Sequence, residues 1–161
     1  MSFFRLLSYG EFRTANPGLD LQATFSRGYS AYTLVRGPLV DGKQQRLGWE
    51  AAKRKASMLG GNLATINSAA ENQWITSRYA PISFDQCGLW IGLNDKRNNG
   101  TWEWSSGERS SYRNWLPAGT PGYRRAEPTN GAGEDYVHIY FNSAAKGRWK
   151  DTSVGYRDVA L

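Results

Sequence analysis

The sequence predicts an α+β domain on three observations. Two stretches of helical apolar spacing come first, short strand-like runs follow, and glycine-rich irregular chain separates the strands. Glycine supplies 18 of the 161 residues, and the 7 Trp, 9 Tyr and 6 Phe supply large apolar side chains. That is enough apolar mass for one packed core, and a charged fraction of only 21% excludes wholesale disorder. One domain preceded by an arm fits this length better than two domains.

Residues 1–28 show neither period and hold a turn at Asn16-Pro17-Gly18, so they read as an N-terminal arm, with the domain proper at 29–161. The arm either wraps its own domain as an edge strand or docks on partner subunits through Phe3, Phe4, Leu6 and Leu7. Ala31 to Arg36 reads as the first strand, closed by Gly37-Pro38, and Asp41 to Arg46 as a polar loop. Trp49, Ala52, Ala56 and Leu59 then recur at helical spacing until Gly60-Gly61 stops the helix. A short strand is expected at Leu63 to Ile66. Ser68-Ala69-Ala70-Glu71 has the spacing of a capping box and opens a second helix that buries Trp74, Ile75 and Tyr79.

Beyond Pro81, strands are expected at Leu89 to Leu93, Trp102 to Trp104, Tyr136 to Phe141 and Gly155 to Ala160. Alternation in the third places His138 with Tyr136 and Tyr140 on the strand surface, opposite Val137, Ile139 and Phe141. Trp90, Trp102, Trp104 and Trp149 sit in strand-like runs and read as core. Between Trp115 and Tyr136 the chain has no period; so long an irregular segment in a compact domain points to function. Trp115 and Tyr123 flank or enter it and are the candidates to stack on a ligand.

Several function classes are excluded or disfavoured. One cysteine, Cys87, permits no internal disulfide and reads as a small apolar residue. With one histidine and no visible nucleophile–base pair or redox cysteine pair, the chain is not expected to be an enzyme. The net charge of +6 and pI near 9.6 come from dispersed cations, and Lys53-Arg54-Lys55 reads as a solvated helix face, so nucleic acid is not an expected partner. The apolar N-terminal run is broken by Arg5 and reads as neither signal peptide nor membrane span. Folding in a reducing compartment is expected, and an extracellular role would need leaderless export or release in a virus particle.

Five short runs carry a further signal: Trp90-Ile91-Gly92-Leu93, Asn114-Trp115, Glu127-Pro128-Thr129-Asn130, Gly133-Glu134-Asp135-Tyr136-Val137 and Arg148-Trp149-Lys150-Asp151. In this order they resemble the C-type lectin-like domain, of a bacterial or viral type without disulfides. Gly48 to Ala52, Leu59 to Ile66 and Ser68 to Asn72 extend the resemblance upstream, so it covers the chain from about Tyr29. It implies two helices packed on short antiparallel strands, with a long-loop region that builds the ligand site, and a cis peptide before Pro128.

The resemblance also implies calcium-dependent sugar binding. A principal calcium site would use Glu127, Asn130, Glu134 and Asp151, and a second site Asp95, Asn99 and Asp135. Where the family's sugar-binding members carry asparagine, this chain has Thr129 and Lys150. An ammonium has three donors and no acceptor, so Lys150 cannot ligate a cation. Two readings stand side by side: calcium held by the remaining oxygens, or Lys150 placed among Glu127, Glu134 and Asp151 in its stead. For Asn98-Asn99-Gly100 the competing reading is a tight hairpin turn.

The expected function is a non-enzymatic binding module for a glycan or a protein surface, of the kind used in adhesion or receptor binding. Its ligand face would comprise Glu127, Thr129, Asn130, Glu134, Lys150 and Asp151, with Tyr123, Arg124 and Arg125 from the long loop. The two arginines suit sialic, uronic or sulfated sugars, or an acidic partner protein. The alternative is a structural or decoration protein of a larger assembly, such as a phage virion, docked through the arm.

Overall fold

The computed structural model describes residues 24–82, 88–142, 144–153, 155 and 159–160. Residues 1–23 of the expected arm, with its four apolar docking residues, and Cys87 lie outside the described residues.

Two small hairpins lead the domain. β1 (Thr24–Arg27) pairs antiparallel with β2 (Ser30–Thr33), turning at Gly28 with φ 59°. Of the strand expected from Ala31 to Arg36, only residues 31–33 are strand, in the second limb of a hairpin that crosses residue 28. β3 (Leu39–Val40) and β4 (Lys43–Gln44) form a second hairpin where a polar loop was expected. Asp41 and Gly42 both adopt positive φ, 49° and 72°, the geometry that Asp-Gly supplies in a two-residue turn.

Two helices follow. α1 (Trp49–Met58) buries Trp49, Ala52 and Ala56 and ends where Gly61 N donates to Ala56 O, 3.0 Å. α2 (Ala69–Tyr79) buries Ile75 and Tyr79. Trp74, expected to be buried with them, is only partly covered and packs against Tyr32 and Tyr79. The capping box is half formed: Ser68 Oγ accepts from Glu71 N at 3.2 Å, but the Glu71 carboxylate accepts instead from Asn67 N at 2.7 Å and from the Tyr32 hydroxyl. Tyr32 sits on the first hairpin, so tertiary contact redirects the local pattern. Burial and this carboxylate push the Tyr32 phenol well above its ordinary range.

The main sheet holds β5 (Gly88–Asn94), β6 (Glu103–Trp104), β7 (Tyr136–Tyr140), β8 (Trp149–Thr152) and β9 (Val159–Ala160). Its order is β6-β5-β7-β8, all antiparallel, with β9 parallel to β5. The last expected strand survives only as Val159–Ala160 among the described residues. Leu63 to Ile66 is no strand. It is irregular chain, fully buried and tied to β5 by Gly92 N donating to Ala64 O at 2.9 Å. Leu63 serves the cluster under α1, while Ala64 and Ile66 serve the main core.

That close passage explains Gly92. A Cβ there would lie 2.9 Å from both Leu63 O and Ser105 Oγ and 3.3 Å from Ala64 O. Gly92→Ala is expected to cost about 1–3 kcal/mol, because two backbone carbonyls must shift. Denaturant unfolding measures it, and an unchanged midpoint would contradict this packing.

β7 is buried on both faces. Val137 and Ile139 point into the main core, while Tyr136 joins Trp49 and Trp90 under α1. His138 is therefore not on the surface as expected: it is 1% exposed, between the rings of Trp90 and Tyr140. Alternation identifies the two faces of a strand but not whether each is covered. Trp90, Trp104 and Trp149 are buried as expected, with Trp102 partly so.

Candidate functional site

β8 is the edge of the main sheet, and its outer backbone groups are satisfied by the start of the long loop. Trp149 N donates to Asn114 O at 2.9 Å, and Leu116 N donates to Trp149 O at 3.0 Å. This pins Trp115 against Trp149 and Trp102, ring centroids 5.9 and 4.9 Å away, so Trp115 is packing rather than a free stacking surface. The loop returns when Glu127 N donates to Leu116 O at 2.9 Å, and the Glu127–Pro128 peptide is cis. Glu127 to Glu134 thereby comes to lie beside Lys150 and Asp151.

The expected ligand residues meet there. Lys150 Nζ lies 2.7 Å from Glu127 Oε1, with the two side chains 24% and 5% exposed. Asp151 is fully buried and accepts from Thr129 N at 3.0 Å on Oδ1 and from Asn130 N at 2.7 Å on Oδ2. Glu134 Oε2 accepts from Thr129 Oγ1 at 2.8 Å and from Gly131 N at 3.0 Å. Thr129 N also reaches Glu127 Oε2 at 3.2 Å. A Cβ on Gly131 would fall 2.3 Å from Glu134 Oε2, so a larger residue there would displace the Glu134 carboxylate from its present partners.

These contacts make a closed electrostatic set. Burial and the adjacent Asp151 carboxylate push Glu127 up to about 7, against the opposing pull of Lys150. Each principal-site carboxylate expected to ligate metal is already engaged by a protein donor, and Lys150 brings a positive charge to 2.7 Å from one of them. As arranged, the principal site does not fit calcium, which needs six to eight oxygens free to face it.

The second expected site also lacks a calcium shell. Asp95 Oδ2 accepts from Gly100 N at 2.7 Å, while Oδ1 is buried without a partner. Burial and the neighbouring Asp135 and Asp151 carboxylates raise the Asp95 pKa. Asn99 is exposed in a turn closed by Asn98 N donating to Asp95 O and Thr101 N donating to Asn98 O, 3.0 and 2.8 Å. Among the described residues, no three His, Cys, Asp or Glu side chains are grouped to hold a metal ion.

The rest of the loop is tethered at Tyr123. Its hydroxyl accepts from Asn142 Nδ2 at 2.8 Å and its ring packs on Tyr140, centroids 5.2 Å apart. Arg124 and Arg125 follow on exposed chain just before Glu127. The sequence reading missed the backbone donors of Thr129, Asn130 and Gly131, which do much of the holding; Gly131 was the available signal. It also missed His138 as the cross-strand neighbour of Lys150.

Comparison with known proteins places this geometry in a family. The family model for the lectin C-type domain matches residues 45–158. A perlucin-like protein of Mytilus galloprovincialis is 30% identical over 112 residues, 69% of this chain and 63% of its own. The chain thus spans under two thirds of that relative's length. The C-type lectin CEL-I of Cucumaria echinata superposes with a TM-score of 0.68 at 22% identity, covering 85% of this chain and 91% of that one. The cow carbohydrate-recognition domain of CD23, solved in the presence of a GlcNAc2Man3 oligosaccharide, gives 0.64 at 25% identity, covering 86% and 91%. These three are animal proteins, and they lend no support to a bacterial or viral type.

Proposed function

Because this chain belongs to the C-type lectin domain family, we propose that it is a non-enzymatic binding module whose long-loop face takes a glycan without calcium. The observation that carries this reading is the Lys150–Glu127 ion pair at 2.7 Å, which puts a positive charge of the protein's own in the site. The likeness to a carbohydrate-recognition domain solved with an oligosaccharide supports the glycan. A sugar's hydroxyls would meet the second hydrogen-bonding positions of the Lys150 ammonium, the exposed Asn130 amide and the outer carboxylate oxygens. Arg124 and Arg125 stand on the same loop and favour acidic sugars.

A glycan array probed in chelator and in excess calcium tests this. Binding is expected to be equal in both, and calcium alone is expected to leave the melting temperature where it was. Binding that vanishes in chelator would overturn the metal-free reading. No helix among the described residues is long and apolar enough to cross a membrane.

A further inference from the structure

A cleft of about 450 Å³ opens between α2 and the β7–β8 connection, and nothing in the long-loop reading uses it. Gln73, Thr76 and Ser77 line one wall, Lys146 and Arg148 another, with Tyr112 beside them. Its size suits one or two sugar rings.

The floor is built, not incidental. Gly147 O accepts from Asn72 Nδ2 at 3.0 Å and from Asn114 Nδ2 at 2.7 Å. Asn72 Oδ1 accepts from Trp149 Nε1 at 2.7 Å, and Asn114 Oδ1 accepts from Arg148 Nη1 at 2.8 Å. Both asparagines spend their oxygens and an amide hydrogen on holding the connection against the helix and orienting the guanidinium. Gly147, with φ 82°, makes the turn, and a Cβ there would sit 3.1 Å from Thr76 Oγ1. Two cations thus flank a fixed glycine. No acidic residue lines the cleft, and among the described residues neither Lys146 nor Arg148 has a carboxylate in an ion pair.

We propose that this cleft is a second subsite, for the carboxylate or sulfate of an acidic saccharide. The oriented guanidinium gives paired donors to a planar or tetrahedral anion, and the Lys146 ammonium adds a mobile charge. Gln73 and Tyr112 offer neutral hydrogen-bonding groups to sugar hydroxyls. The anion follows from the cleft alone; the choice of a saccharide rests on the family reading above.

Titration calorimetry at low salt, where exposed charges are least screened, tests it with the full chain in chelator. The probes are a sulfated heparin disaccharide, digalacturonic acid, neutral lactose and inorganic sulfate. Either acidic disaccharide is expected to bind more tightly than lactose or sulfate. Lys146→Ala with Arg148→Ala is expected to weaken it about tenfold or more, at a melting temperature lowered by only about 1–3 °C, because both side chains are exposed and only the exposed Arg148–Asn114 hydrogen bond is lost. Arg124→Ala with Arg125→Ala should leave the Lys146- and Arg148-dependent part of that binding intact. Undiminished binding in the first double variant, or loss confined to the second, would overturn the subsite. Sulfate binding as tightly as the disaccharides would overturn the saccharide. Failure of the long-loop reading shows instead as glycan binding that Arg124→Ala with Arg125→Ala leaves at full strength, and it leaves the loss caused by Lys146→Ala with Arg148→Ala unmoved.

Discussion

Replacing Lys150 with asparagine is expected to destabilise the metal-free protein by about 2–4 kcal/mol and to make its melting temperature respond to calcium. The cost arises because Glu127, 5% exposed at its side chain, would lose its counter-charge while the fully buried Asp151 stays beside it. Stranding one member of a buried pair costs more than the pair contributes, and the partial exposure of Lys150 moderates the figure. For a chain of this size the melting temperature should fall by about 5–15 °C in chelator. Asparagine adds a carbonyl oxygen in place of a cation, so Glu127, Glu134 and Asp151 would regain a metal to gather around. Calcium should then restore much of the loss. A variant that melts at the same temperature with and without calcium would show that these carboxylates cannot converge on an ion.

The pH dependence carries a definite sign. Glu127 is held above the ordinary carboxylate range, up to about 7, so the folded state binds its proton more readily than the unfolded chain does. Its ionisation therefore lowers stability as pH rises from its ordinary value through the folded one, and has no effect below the ordinary value. Removing Lys150 raises Glu127 further. The variant's deficit should be largest near and above neutral pH and shrink on acidification; a deficit independent of pH would argue against the ion pair as its source.

Trp149→Ala is expected to be the most damaging core substitution, at about 4–5 kcal/mol. The ring is fully buried and takes the edges of Trp104, Tyr112 and Trp115 at centroid distances of 5.9, 5.5 and 5.9 Å. Its Nε1 also donates to Asn72 Oδ1, so truncation strands a buried amide oxygen as well as opening a cavity. Trp149→Phe keeps most of the ring and should cost about 1–2 kcal/mol, separating the hydrogen bond from the packing. Chemical unfolding reads both. Near-equal costs would mean that the hydrogen bond dominates. Because Trp149 directly precedes Lys150 and Asp151 on β8, the alanine variant should also lose the long-loop geometry.

Much of the fold was legible. Trp49, Ala52 and Ala56 at helical spacing gave α1, and the runs around Trp90 and Tyr136 gave the two longest strands of the main sheet, whereas β8 at Trp149–Thr152 was not among the expected strands. The Leu63 to Ile66 segment looked like a strand because it is apolar and short. It is instead a buried filament between two clusters, a fact set by what packs on it. The hairpin at Asp41-Gly42 was readable from its turn residues and was passed over as polar chain.

The carboxylates and Lys150 were legible as a set, since matching motifs named Glu127, Glu134, Lys150 and Asp151 without coordinates. Whether Lys150 reaches one of those carboxylates was not. A lysine on an edge strand must meet a carboxylate some twenty positions earlier, and the loop anchors at Leu116 and Glu127 decide it. His138 illustrates the same boundary: period places it on a face, and only the tertiary packing of that face, with the Trp90 and Tyr140 rings against it, buries it.

By itself, then, the sequence determined the two helices, the longest strands, the family and the roster of charged side chains, because those depend on local spacing and residue chemistry. Tertiary structure alone decided that protein donors engage these carboxylates, with Lys150 seated on Glu127 and backbone amides on Asp151. It also decided that Lys146 and Arg148 flank a cleft against α2. Both depend on distances between residues far apart in the chain, and charge interactions are governed by distance and burial.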